Sequence, residues 1–232
     1  MKPIIRILML AFACALTAIP SAQAQSGVAG AYTVSYIEVF PTGENDAVAL
    51  LRNLVKTSRA SAGNLRFEAL QRIDRSNHFA IVEAWKDKAA HDAHVAAGHT
   101  RDYRARLAPM LISAYDERPH TGLATGPLSA GSLAGGGAVF AVTHVDVIPP
   151  KKDEAIGNLQ RLAGPSRSEP GNLRYEVQQQ NSRQNHFTLV EIWHDQNALE
   201  AHETATHTRA FRDLLLPMSG SLFDQRLYRS FD

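Results

Sequence analysis

Apolar and polar positions recur along this chain in one order, and the order comes twice. Residues 32–40 form an extended run rich in Val, Ile, Tyr and Phe that stops at Pro41, as a strand does. Ala47, Leu50, Leu51, Leu54 and Val55 then return at helical spacing. After Gly63, residues 65–73 and 78–86 alternate as two strands around the polar turn Asp74-Arg75-Ser76-Asn77, which predicts a hairpin. Asp87 sits where an N-cap belongs and opens a second helix. Gly98 interrupts that helix, a third helical piece covers 99–107, and a last strand is expected near 110–117. The order β-α-β-β-α-β is the ferredoxin-like arrangement.

The second half repeats this pattern at a constant offset of 108 residues. Gly63-Asn64-Leu65-Arg66-Phe67-Glu68 returns as Gly171-Asn172-Leu173-Arg174-Tyr175-Glu176. Asn77-His78-Phe79 returns as Asn185-His186-Phe187, and Val82-Glu83-Ala84-Trp85 as Val190-Glu191-Ile192-Trp193. His94 and His99-Thr100-Arg101 return as His202 and His207-Thr208-Arg209. A fixed offset without insertions means two copies of one folding unit, too few for a solenoid. Repeat 1 is placed at 31–118 and repeat 2 at 138–232. One sheet face of a lone copy would stay bare and apolar, so the copies are expected to cover each other. The expected fold is therefore α+β: two ferredoxin-like modules packed face to face as a closed barrel with cavities inside.

Residues 1–24 stand outside this pattern. A basic start with Lys2 and Arg6, an apolar run too short to span a bilayer comfortably, and Ala22-Gln23-Ala24 make a signal peptide. A secreted, periplasmic protein is expected, with no membrane attachment after cleavage. The single cysteine, Cys14, falls inside that leader, so the mature chain has no disulfide or thiolate chemistry. Without the leader, 22 basic side chains face 23 acidic ones, a balance that argues against nucleic acid as partner. Residues 119–137, rich in Gly, Ser, Ala and Thr and almost uncharged, are expected as a flexible linker.

The run Glu169-Pro170-Gly171-Asn172-Leu173-Arg174-Tyr175-Glu176, followed by 187–193, Ala201-His202 and His207-Thr208-Arg209-Ala210-Phe211, resembles the antibiotic biosynthesis monooxygenase domain. That family includes quinol monooxygenases and is similar in fold to haem-degrading monooxygenases of the dimeric α+β barrel group. The resemblance covers nearly all of each repeat. Copy 1 departs from it at Ser61-Ala62-Gly63, where the family favours Glu-Pro-Gly. Family members usually form homodimers, so the resemblance implies a fused dimer: repeat 1 pairs with repeat 2, and a higher homo-oligomer stays open.

Strand parity places Phe79, Glu83 and Trp85 on one face, and Phe187, Glu191 and Trp193 on its copy. With the hairpin turn centred on Arg75-Ser76, Glu68 would face Glu83 and Arg66 would sit beside Trp85. The expected polar cluster is thus Arg66 and Arg174 with Glu83 and Glu191, either tying the modules together or lining a cavity. Trp85 and Trp193 match the tryptophan lining the pocket in related proteins, which the resemblance makes a wall for a flat aromatic substrate. His94 and His202, nine residues after each tryptophan, are candidate bases. Tyr36 becomes His144 in the second copy, so two pockets lined by them would differ. His91 and His94 have metal-like spacing, but Leu199 replaces His91 in the copy and no carboxylate has compatible spacing, so no metal site is expected.

No Gly-x-Gly-x-x-Gly, Walker loop or Gly-x-Ser-x-Gly elbow occurs. With the resemblance, this predicts a cofactor-independent monooxygenase acting on a small aromatic or quinol-type compound with dioxygen. An isomerase of a small carbonyl compound, and a non-catalytic module binding a hydrophobic ligand or haem, remain the alternatives.

Overall fold

The computed structural model describes residues 30–126 and 137–230. The expected leader and residues 127–136 of the expected linker lie outside them. Repeat 1 contains β1 (Ala31–Glu38), α1 (Glu44–Arg59), β2 (Asn64–Arg72), β3 (His78–Trp85), α2 (Lys88–Val95), α3 (Gly98–Leu107) and β4 (Asp116–Ala124). Repeat 2 contains β5 (Val139–Asp146), α4 (Lys152–Arg167), β6 (Asn172–Gln180), β7 (His186–Trp193), α5 (Gln196–Thr204), α6 (Thr206–Leu215) and β8 (Asp224–Ser230). Among the described residues no helix is long and apolar enough to cross a membrane.

The strands close into one antiparallel barrel in the order β1-β3-β2-β8-β5-β7-β6-β4, with β4 returning to β1. The last strand of each repeat makes the closure. β4 pairs with β1 of its own repeat and β6 of the other, and β8 pairs with β5 and β2. Each module thereby covers the other's sheet edge as well as its face.

This use of β4 corrects two expectations. The final strand starts at Asp116 rather than near 110, and residues 119–124, expected as linker, are strand. Pro109 enters a 3-10 turn, Ala108–Met110, and Leu111 bridges Val39 while Met110 and Leu111 pack under the helices. The apolar run that resembles a strand is spent there, and the hydrogen bonds to β6 recruit the polar stretch that follows.

The hairpin register is also one residue from that expected. Phe67 pairs with Glu83, Glu68 with Val82 and Arg66 with Ala84, so the turn centres on Arg75. A one-residue slip exchanges the faces of every side chain. Glu83 and Trp85 therefore point to the helices with Phe67, Phe79 and Ile81, whereas Arg66 and Glu68 point into the barrel. The mixed cluster of Arg66 and Arg174 with Glu83 and Glu191 does not exist.

The sequence leads one to expect a hollow for a guest molecule inside the barrel, but most of the interior is a packed core. Val34, Leu70, Val82, Phe140, Val142, Val190, Ile192 and Tyr228 fill much of it, as side chains do in a small barrel. Across its middle Arg66 donates to both oxygens of Glu176 at 2.8 and 2.7 Å, and Arg174 to both of Glu68 at 2.6 and 2.9 Å. All four are buried. Burial works against the charge of Glu176, but Arg66 beside it holds its carboxyl below the usual range.

Candidate active site

The expected site residues separate into two places. Tyr36 and His144 belong to the barrel, with ring centroids 5.1 Å apart. Tyr36 lines a cavity of about 290 Å³ at one barrel end, together with Arg72, Arg118, Arg226 and Tyr228. Burial, then Arg118 and Arg226, push the His144 imidazole down to about 3. They are not walls of the tryptophan sites. Phe79 and Phe187 are buried in the core under the helices.

The tryptophans, glutamates and helix histidines do come together, between sheet and helices. Local sequence explains why. Asp87 and Asp195 cap α2 and α5, each accepting from a backbone N–H three residues on at 2.8 Å. Gly63 and Gly171 adopt φ of 79° and 83° in the turn before β2 and β6. A Cβ there would lie 2.6 and 2.7 Å from the Cβ atoms of Ala90 and Ala198, so glycine lets the turn press against the histidine-bearing helix. Trp85 donates to Glu83 at 2.8 Å and Trp193 to Glu191 at 3.0 Å. His94 stacks on Trp85 with centroids 4.7 Å apart, and His202 on Trp193 at 4.6 Å.

Beyond this shared frame the copies diverge. In repeat 1, His94 Nδ1 meets only His99 and Thr100 at 3.4 Å. Burial, then His99 and His91, push its pKa to about 4. In repeat 2, Glu169 Oε1 lies 2.6 Å from His202 Nδ1 and 2.8 Å from His207 Nε2. His202 Nε2 faces Glu191 at 3.6 Å. Burial lowers the His202 pKa too, but the Glu169 hydrogen bond opposes it. Glu169 occupies the place of Ser61 in the first copy. The sequence search for bases missed it because it lies 33 residues before His202, although the Ser61 departure marked the position.

The mouths differ as well. Over the first site Arg104 pairs with Glu117, and its guanidinium lies 3.6 Å from the centroid of Tyr115. This clasp leaves a void of about 10 Å³ between Glu83, His94 and Tyr103, room for a water at most. The second copy has Phe223 for Tyr115 and Gln225 for Glu117, so the ion pair is lost. Arg212, the counterpart of Arg104, stands 5.4 Å from the Phe223 ring. A cavity of about 580 Å³ opens there, between Glu203, Arg212, Leu215, Leu222 and Phe223.

Burial drives Glu83 and Glu191 up to about 8, against the tryptophan hydrogen bonds that favour the anion. Both folded pKa values exceed the unfolded one, so stability from these groups is complete below about 4.5 and is lost as pH rises to about 8. Buried neutral His94, His120 and His144 act the other way, with folded values of about 4, 4 and 3, but their effect ends near pH 6.5, the unfolded value. Between pH 6.5 and 8, stability is expected to fall by up to about 1.4 kcal/mol per pH unit per carboxyl. Urea unfolding across this window checks it. The slope should flatten in Glu83→Gln and Glu191→Gln; an unchanged slope refutes neutral carboxyls.

Two ferredoxin-like halves whose last strands each bridge to the other half, each with a tryptophan, glutamate and histidine under its helices, define a dimeric α+β barrel fused into one polypeptide. The antibiotic biosynthesis monooxygenase pattern matches residues 31–106 and again 138–214, well over half of the chain. The chain belongs to that family, as the resemblance in its sequence implies. It is similar to YcnE of Bacillus subtilis (strain 168), named as a candidate monooxygenase, with 29% identity over 82 residues, 35% of this chain and 86% of that protein. In fold it is similar to a candidate monooxygenase from Fusobacterium nucleatum (TM-score 0.77, 15% identity, 88% of this chain and 93% of that one). An anthrone oxidase-like protein shares the fold at TM-score 0.68 and 12% identity, covering 89% of this chain and 93% of its own.

Proposed function

We propose that the protein is an exported, periplasmic monooxygenase that needs no cofactor and oxidises a small aromatic or quinol-type compound in its second repeat. The observation that carries this reading is the pairing of Glu169 with His202 at 2.6 Å, in the repeat whose mouth residues Arg212 and Phe223 line an open cavity of about 580 Å³. With its Nδ1 proton held by Glu169, His202 keeps Nε2 basic, and a substrate proton reaches it in place of the 3.6 Å contact with Glu191. Glu169 then faces the imidazolium that forms. Phe223 offers an aromatic wall in the cavity and Arg212 a cation for the negative charge that develops. The substrate anion gives its electrons to dioxygen. For a methylene carbon, one oxygen atom ends in a new carbonyl and the other leaves in water.

Oxygen uptake with a panel of quinols and anthrones tests this. Uptake that is lost in His202→Ala and kept in His94→Ala is expected. No uptake with any of them, with proton exchange beside a carbonyl instead, would replace the oxygenase by an isomerase.

A further inference from the structure

Glu169 holds two imidazoles with one oxygen, and the three side chains come from separate, well-supported elements. Glu169 stands in the turn between α4 and β6, His202 near the end of α5, and His207 in the first turn of α6. One ligand atom from each lies within 4.8 Å of the others. We propose that Glu169, His202 and His207 form a binding site for a divalent transition-metal ion of the zinc or cobalt type. The sequence predicts no metal, because His91 and His94 have no carboxylate at compatible spacing and Leu199 replaces His91 in the second copy.

Two imidazoles and one carboxylate are the donor set such ions favour over calcium or magnesium. Bonds of about 2.0–2.2 Å fit between donors now 2.6–2.8 Å apart after a sub-ångström opening. The side chains of Glu169 and His207 are 15% and 29% exposed, while that of His202 is 4% exposed. An ion can therefore enter from the surface and keep a water on its open side. The far nitrogen of His202 lies 3.6 Å from Glu191, a carboxyl on the side where a ligating histidine takes its outer-shell partner. The first repeat supplies a natural control. Ser61 replaces Glu169, and His94 and His99 face each other at 3.4 Å with no carboxylate.

This site does not depend on the oxygenase reading: an ion on His202 Nδ1 displaces the proton held there, so the metal-bound form is a separate state from the one that acts as base, and its test needs no turnover. Tag-free chain lacking residues 1–24 is titrated with zinc(II) by calorimetry and with cobalt(II) by visible absorption. One saturable equivalent per chain is expected. Glu169→Gln and His207→Ala should each weaken it by more than the about 10–100-fold typical of losing an outer-shell partner, while His99→Ala leaves it unchanged. Absence of saturable binding, or one equivalent that survives both Glu169→Gln and His207→Ala, overturns the proposal.

Discussion

Replacing His202 by alanine is expected to lower the rate of substrate oxidation by about 10²–10⁴-fold, the range for loss of a positioned general base, whereas His94→Ala should keep the rate of the parent. The two histidines occupy equivalent places and both stack on a tryptophan, so sequence position alone would give them equal weight. Their surroundings separate them. His202 has the Glu169 carboxylate at 2.6 Å, and the mouth of its repeat is open, with Arg212 and Phe223 lining a cavity. His94 has no carboxylate at Nδ1, a pKa near 4, and a mouth closed by Arg104, Glu117 and Tyr115. Steady-state oxygen consumption decides between one working site and two. Two equal sites would lose about half of the rate in each single variant.

The second large effect lies inside the barrel. Arg66→Ala or Glu176→Ala is expected to cost about 3–5 kcal/mol, because each leaves a buried partner charge uncompensated. The bidentate pairs join one repeat to the other over sequence separations of 110 and 106 residues. The loss should therefore appear as weakened cohesion of the whole barrel, without a local melting step. A double replacement, Arg66→Met with Glu176→Met, should cost less than either single change, since it removes the stranded charge along with the pair. Equilibrium denaturation of the three variants measures this. Single variants within about 1 kcal/mol of the parent would show that the four charges are not desolvated as a unit.

The duplication, the element order and the pairing of the halves are all visible in the chain, because strand and helix periodicities are strong and the offset is constant. Two features were not. The path of β4 was hidden because its residues, including Pro119, Thr121 and Gly122, look like linker; only hydrogen bonding to β6 makes them a strand. The face of Arg66 was hidden because it depends on a one-residue choice of turn centre and on a register shift between Asn64 and Arg66. Trp85, Glu83 and His94 did assemble with each other, as did Trp193, Glu191 and His202. They lie under the helices, since parity fixes which residues share a face but not which side that face meets. The departures between copies carried more than the matches. Ser61 against Glu169, Tyr115 against Phe223 and Glu117 against Gln225 are each a single substitution, and together they separate a closed mouth from an open one.

The chain has two tryptophans, one in each repeat, so fluorescence can report on each site separately. A non-reactive aromatic quinone is titrated into Trp85→Phe, which leaves Trp193 as reporter, and into Trp193→Phe, which leaves Trp85. If the second repeat holds the working pocket, emission is quenched saturably at one equivalent in Trp85→Phe and stays unchanged in Trp193→Phe. Equal quenching in both variants, or quenching of Trp85 alone, would contradict it.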